Sequence, residues 1–162
     1  MTEIPMNRIL LAYIVVVAAM PGLTLAQAAT ASKESCSEIT AVRRIPFHPE
    51  EKVDDAAYNE LRKKSWSVVS CLIGEITNSS LMPDPRSAPV YPKVRVGDVA
   101  FWVVKDITDL PYDEMFPTTV SRRFPKQGVY AYFDWVNRDA NRRKLQQNVE
   151  KWCTLHKPKE IL

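Results

Sequence analysis

The chain has 162 residues, of which 46% are hydrophobic and 25% charged, and a formal net charge of +3 at pH 7. Those fractions are ordinary for a folded globular chain and exclude wholesale disorder. So small a positive excess falls well short of the basic face that a nucleic-acid-binding domain carries, so no nucleic-acid partner is expected.

The N-terminal segment reads as an address. Arg8 is a short positive flank, Ile9 to Met20 is an unbroken apolar run, Pro21-Gly22 ends it, and Ala26-Gln27-Ala28 or Ala29-Thr30-Ala31 is a small-x-small cleavage site. Residues 1–28 are therefore expected to be a cleaved secretory signal peptide, with cleavage after Ala31 as the variant. The apolar run is too short for the roughly 20 residues a membrane-spanning helix needs, so no stable membrane anchor is expected after cleavage. Cleavage removes Glu3 and Arg8 and leaves the net charge at +3. The remaining chain of roughly 130 residues is enough for one domain with a proper core.

Residues 32–53 carry Pro46 and Pro49 and little periodicity, and read as an irregular lead-in; His48 lies within it as a solvated side chain. Asp54-Asp55 marks a helix start, with acids at the positive end of the dipole. Tyr58, Leu61, Ser65, Val68, Leu72 and Ile76 then recur at three- and four-residue spacing, which predicts one amphipathic helix running past Cys71. Thr77 to Pro92 has four prolines and no periodicity and must be a long loop, a preferred place for a partner surface. Val94 to Leu110 is ambiguous. Gly97-Asp98 could turn a β-hairpin, or Asp98 could cap a helix that is apolar nearly all round and therefore central; the spacing of Ala100, Val103, Val104 and Ile107 favours the helix.

Pro111, Pro117 and Pro125 leave room for at most a short helical turn between Tyr112 and Pro125. Val129, Tyr132, Phe133 and Val136 share one helical face. Asp139 is then expected to cap a last helix that buries Leu145, Val149, Trp152 and Cys153 and leaves Arg142, Arg143, Lys144 and Lys151 solvated. The fold class expected is all-α: a single domain over 54–162, built as a bundle of about four helices with a proline-rich loop, the alternative being α+β with a hairpin around Gly97-Asp98.

Three cysteines follow the leader, and in an oxidising compartment two should pair. Cys71 and Cys153 lie in segments read as helical and are the expected pair, with Cys36 free; pairing of Cys36 with either is the alternative. A Cys3His zinc site would need Cys36, Cys71, Cys153 and His156, but no CxxC pair is present, so no metal is expected. A Cys153–His156 nucleophile pair would sit at a fraying chain end. GxSxG, HExxH and glycine-rich phosphate loops are absent from the sequence, and no cofactor is expected. The acids Asp106, Asp109, Asp113 and Glu114 are the one concentrated acidic group. They read as a solvated helix end, a surface for a basic partner, or an internal electrostatic partner of the basic segment Arg142 to Lys151. Tyr130 and Trp135 lie off the apolar stripe and are candidate binding anchors.

The function these features point to is an exported helical protein that binds another protein, such as a periplasmic inhibitor or immunity protein neutralising a toxin or wall-active enzyme. Arg86, Tyr91, Asp106, Asp109, Asp113 and Glu114 are its candidate binding residues. The alternatives are a cell-wall glycan hydrolase with acidic residues as acid and base, Asp109 and Asp113 foremost, and an envelope structural or assembly factor.

Overall fold

Where the sequence carries an irregular lead-in, the chain is nonetheless anchored in the core. The computed structural model describes residues 35–46, 52–83 and 93–159. The expected leader, His48, Arg86 and Tyr91 lie outside them. A 3₁₀ turn, Ser37–Ala41, opens the described chain, and Cys36, Ile39, Val42 and Ile45 are buried at three-residue spacing. Asp55 then locks this stretch to the first helix. Its Oδ1 accepts the Tyr58 backbone N–H at 2.9 Å, as an N-cap should, and its Oδ2 accepts those of Arg43 and Arg44 at 2.7 and 3.0 Å.

The single helix expected from Asp55 to Ile76 is two: α1, Ala56–Lys63, and α2, Trp66–Glu75. They part at Ser65, whose φ of 51° is costly for a side-chain-bearing residue, about 1–3 kcal/mol. No proline or glycine marks the break. Tertiary ties hold it instead: Lys64 Nζ donates to Ser35 O and to Glu38 Oε1, each at 2.8 Å, and that hydrogen bond holds the Glu38 carboxyl below its ordinary range. Tyr58, Leu61, Val68, Leu72 and Ile76 stay buried across the break, while Ser65 is exposed.

The disulfide joins Cys36 to Cys71, with Cα atoms 5.9 Å apart, and Cys153 is the free cysteine. The expected Cys71–Cys153 pair is thereby corrected. The expectation failed because the lead-in is not loose: Ile39, Val42 and Ile45 pin it beside α2 and bring Cys36 within bonding reach. A bridge across 35 residues contributes about 4 kcal/mol in the chain-entropy account. Burial pushes the Cys153 thiol up to about 11, which keeps it protonated and unreactive at neutral pH.

After α2, Met82 N–H donates to Val94 O and Val96 N–H to Ser80 O, both at 2.9 Å, so one antiparallel bridge pairs Leu81 with Arg95. The chain then enters α3, Val96–Thr108, which is the central element: Val96, Val99, Ala100, Phe101, Val103 and Val104 are all buried. Gly97-Asp98 is the first turn of this helix and not a hairpin, and the described residues form no sheet beyond the bridge. Asp98 is not the N-cap expected but sits three residues in, where its Oδ2 accepts the Arg95 N–H at 2.8 Å. Gly97 is required by packing. A Cβ there would lie 2.2 Å from Ile76 O, at the C-terminal end of α2.

The proline-broken stretch holds three single turns where at most one was expected: α4, Tyr112–Met115, α5, Thr118–Ser121, and α6, Phe124–Gln127. Pro111 and Pro117 stand just ahead of α4 and α5, and Pro125 is in the first turn of α6, positions where a missing N–H costs nothing. Helix α7, Tyr130–Val136, buries Ala131, Tyr132, Phe133 and Val136, the face read from the spacing. The last helix, α8, Asp139–His156, starts one residue after Arg138 and buries Leu145, Val149 and Cys153 as expected, while Trp152 is only partly covered. Arg142, expected in solvent, is 3% exposed. The described residues thus form a helical fold, and none of their helices is long and apolar enough to cross a membrane.

Candidate functional site

Helix α3 carries an aspartate near each end, and each meets a tyrosine and an arginine. At the N-terminal end Asp98 Oδ1 accepts the Tyr132 hydroxyl and Arg142 Nη2, each at 2.8 Å, with the Asp98 and Arg142 side chains 1% and 3% exposed. Complete burial, reinforced by the neighbouring carboxylate, pushes the Tyr132 phenol well above its ordinary range. Arg142 Nε and Nη1 are buried and find no hydrogen-bond partner among the described residues. The sequence pattern placed Arg142 in solvent because a charged residue inside a basic helix looks like part of its wet face. Inside the fold it neutralises a carboxylate that would otherwise be alone in the core.

At the C-terminal end the Tyr58 hydroxyl donates to Asp106 Oδ2, which also accepts Arg62 Nε at 2.7 Å. Asp106 is therefore not free to steer a partner, and its cation comes from α1, not from the basic segment Arg142 to Lys151. Burial and the hydrogen bond to Asp106 raise the Tyr58 phenol above its usual value. The other three acids differ. Asp109 closes α3 in the left-handed conformation, φ 56°, and with Asp113 and Glu114 on α4 it is exposed and has no ion pair among the described residues. This acidic turn also carries Tyr112 into the interior.

Beneath the turn lies a cavity of about 250 Å³. Among the described residues its walls are Ile45 and Pro46 of the lead-in, Trp102 and Lys105 of α3, Tyr112 of α4 with Phe124 of α6, and the α7 start with Phe133. The aromatic rings are packed against one another, Tyr112 on Phe124 at 4.3 Å between centroids and Trp102 stacked with Tyr112 at 5.5 Å. Trp102 Nε1 and the Tyr112 hydroxyl are buried and have no hydrogen-bond partner among the described residues. Burial, with Asp113 nearby, holds the Tyr112 phenol protonated well above the ordinary range. A second depression, about 510 Å³, is lined by Arg43, Arg44, Asp54 and Asp55, of which Asp55 is already committed as the α1 cap.

The remaining candidates are dispersed. The zinc reading fails for its cysteines, because Cys36 and Cys71 are bonded to each other. His156 is exposed and stacks on Trp152 at 4.1 Å, with its Nδ1 2.8 Å from Trp152 O. Glu60 pairs with Lys63 and Glu75 accepts from Asn78. Tyr130 is 48% exposed, as an off-stripe residue should be, whereas Trp135 is partly buried against Phe116. Sequence reasoning missed the cavity. Its walls are separated by up to nearly ninety residues, and no local spacing signals their convergence. The chain matches no known family model, no curated protein and no solved structure.

Proposed function

We propose that the protein is an exported helical binding protein, of the kind that inhibits or neutralises a toxin or wall-active enzyme by protein–protein contact, acting in the periplasm or outside the cell. The Cys36–Cys71 disulfide is compatible with such an oxidising location. The observation that carries the binding role is the acidic turn itself. Asp109, Asp113 and Glu114 are exposed on a rigid support between α3 and the aromatic core, and unlike Asp106 they are not consumed by an internal ion pair among the described residues. Exposed like charges grouped in this way steer a basic partner and speed its association. Arg86 and Tyr91 of the proline-rich loop are proposed to complete the surface, and a small bundle of helices is its scaffold.

The test is cross-linking of the tagged protein in its native compartment, identification of the captured partner, and repetition with Asp113→Lys and Glu114→Lys, then with Arg86→Ala and Tyr91→Ala. The charge reversals should slow association and remove its salt dependence while the melting temperature holds. Variants that capture the partner normally, or that lose it only by unfolding, overturn the reading.

A further inference from the structure

Buried indole N–H and tyrosine hydroxyl groups in folded proteins find partners, because leaving one unmet costs a good part of its hydration. Here two such groups without partners among the described residues, Trp102 Nε1 and Tyr112 Oη, belong to residues lining one cavity, and among the described residues of that lining Lys105 is the charged one. Lys105 has no ion pair among the described residues. The other described residues around the space are apolar or aromatic, with Ile45, Phe124 and Phe133 as its body. At about 250 Å³ the cavity is below the usual range for drug-sized ligands. One cation with two neutral donors matches a monoanion with two acceptor oxygens; a doubly charged phosphate would leave charge unmet in an apolar surround.

We propose that this cavity binds a small carboxylic acid with an apolar body, the body lying among Ile45, Phe124 and Phe133 and the carboxylate held by Lys105 beside the Trp102 and Tyr112 donors. The inference is independent of the protein-binding role, since it uses the interior behind the acidic turn and not the exposed acids. The arrangement excludes a cationic ligand of the same shape, because Lys105 would repel it. Binding also couples four chain segments through one ligand, so an occupied cavity stabilises the fold by mass action.

The purified protein is titrated with octanoate, with 1-octanol and with octylammonium, following binding by calorimetry and by the shift in melting temperature. Octanoate should bind and raise the melting temperature, octanol should bind at least tenfold more weakly, and octylammonium should not bind. Lys105→Met should weaken octanoate roughly tenfold, the loss that one hydrogen bond to a charged group carries, and leave octanol unchanged. Val129→Phe, which fills the cavity from the α7 start, should abolish binding of both, and Asp113→Lys should not weaken octanoate. The proposal is overturned if no probe binds, if octanol or octylammonium binds as well as octanoate, or if octanoate binding survives both Lys105→Met and Val129→Phe.

Discussion

The two ends of α3 carry the same three side chains in different surroundings. Tyr132, Asp98 and Arg142 meet with both charged groups almost wholly out of water, whereas Tyr58, Asp106 and Arg62 meet where Arg62 is 51% and Asp106 24% exposed. Coulomb attraction is strong in the first setting, but so is the desolvation that assembling it costs. In the second both are weakened by solvent. The buried triad should therefore be hard to break from one side yet replaceable as a whole, and the surface triad should be easy to lose.

The sharpest way to break this contrast is to remove one partner from the core. Asp98→Ala leaves the Arg142 guanidinium buried without its carboxylate and should cost about 3–5 kcal/mol in urea unfolding, and Asp98→Leu combined with Arg142→Met should recover most of that loss. A double variant as unstable as the single one would show that the pair does more than cancel its own burial. Gly97→Ala, one residue away, places a methyl against the Ile76 carbonyl and should cost about 1–3 kcal/mol by forcing α2 and α3 apart. Asp106→Ala should cost about 1–2 kcal/mol, from one hydrogen bond to the Tyr58 hydroxyl and a partly exposed ion pair, and high salt should shrink the ion-pair share while leaving the Asp98 effect intact. Asp109→Gly, at the left-handed residue that ends α3, should change stability by no more than about 0.5 kcal/mol, since glycine meets that backbone without strain.

Alkaline pH tests both ends together. The Tyr132 and Tyr58 phenols are raised above their ordinary value of 10, so the stability they carry is fully present below pH 10 and is lost as pH rises beyond it. Phenolate absorbance from Tyr132 should consequently appear only with the loss of helical circular dichroism, and early, reversible ionisation of every tyrosine would contradict its burial.

The apolar spacing of α3 made it legible as a helix, and the same rule located the α7 face and the Leu145–Val149–Cys153 stripe of α8. Such elements are readable because burial of a periodic face is a property of neighbouring residues. The break at Ser65 was not readable, because the Lys64 contacts to Ser35 and Glu38 that hold it come from residues 26 and 29 positions away. Arg142 was misread for a related reason: its charge is sensible in the core only beside Asp98, which lies on another helix. The disulfide follows the same logic, since three cysteines permit three pairings and only the packing of the lead-in selects Cys36 with Cys71.

The acidity of the C-terminal turn of α3 is thus determined by the sequence alone, and the helical class and the central place of α3 are favoured by it over a hairpin, because local periodicity and local charge need no distant partner. Which acid is spent inside the fold and which remain outside, where a glycine must stand, which cysteines meet, and how Trp102, Lys105, Tyr112 and Phe133 come to wall one cavity are decided only in three dimensions. Each of those outcomes depends on residues far apart in the chain entering the same volume, where the dielectric, the room available and the reach of a hydrogen bond are set by all of them at once.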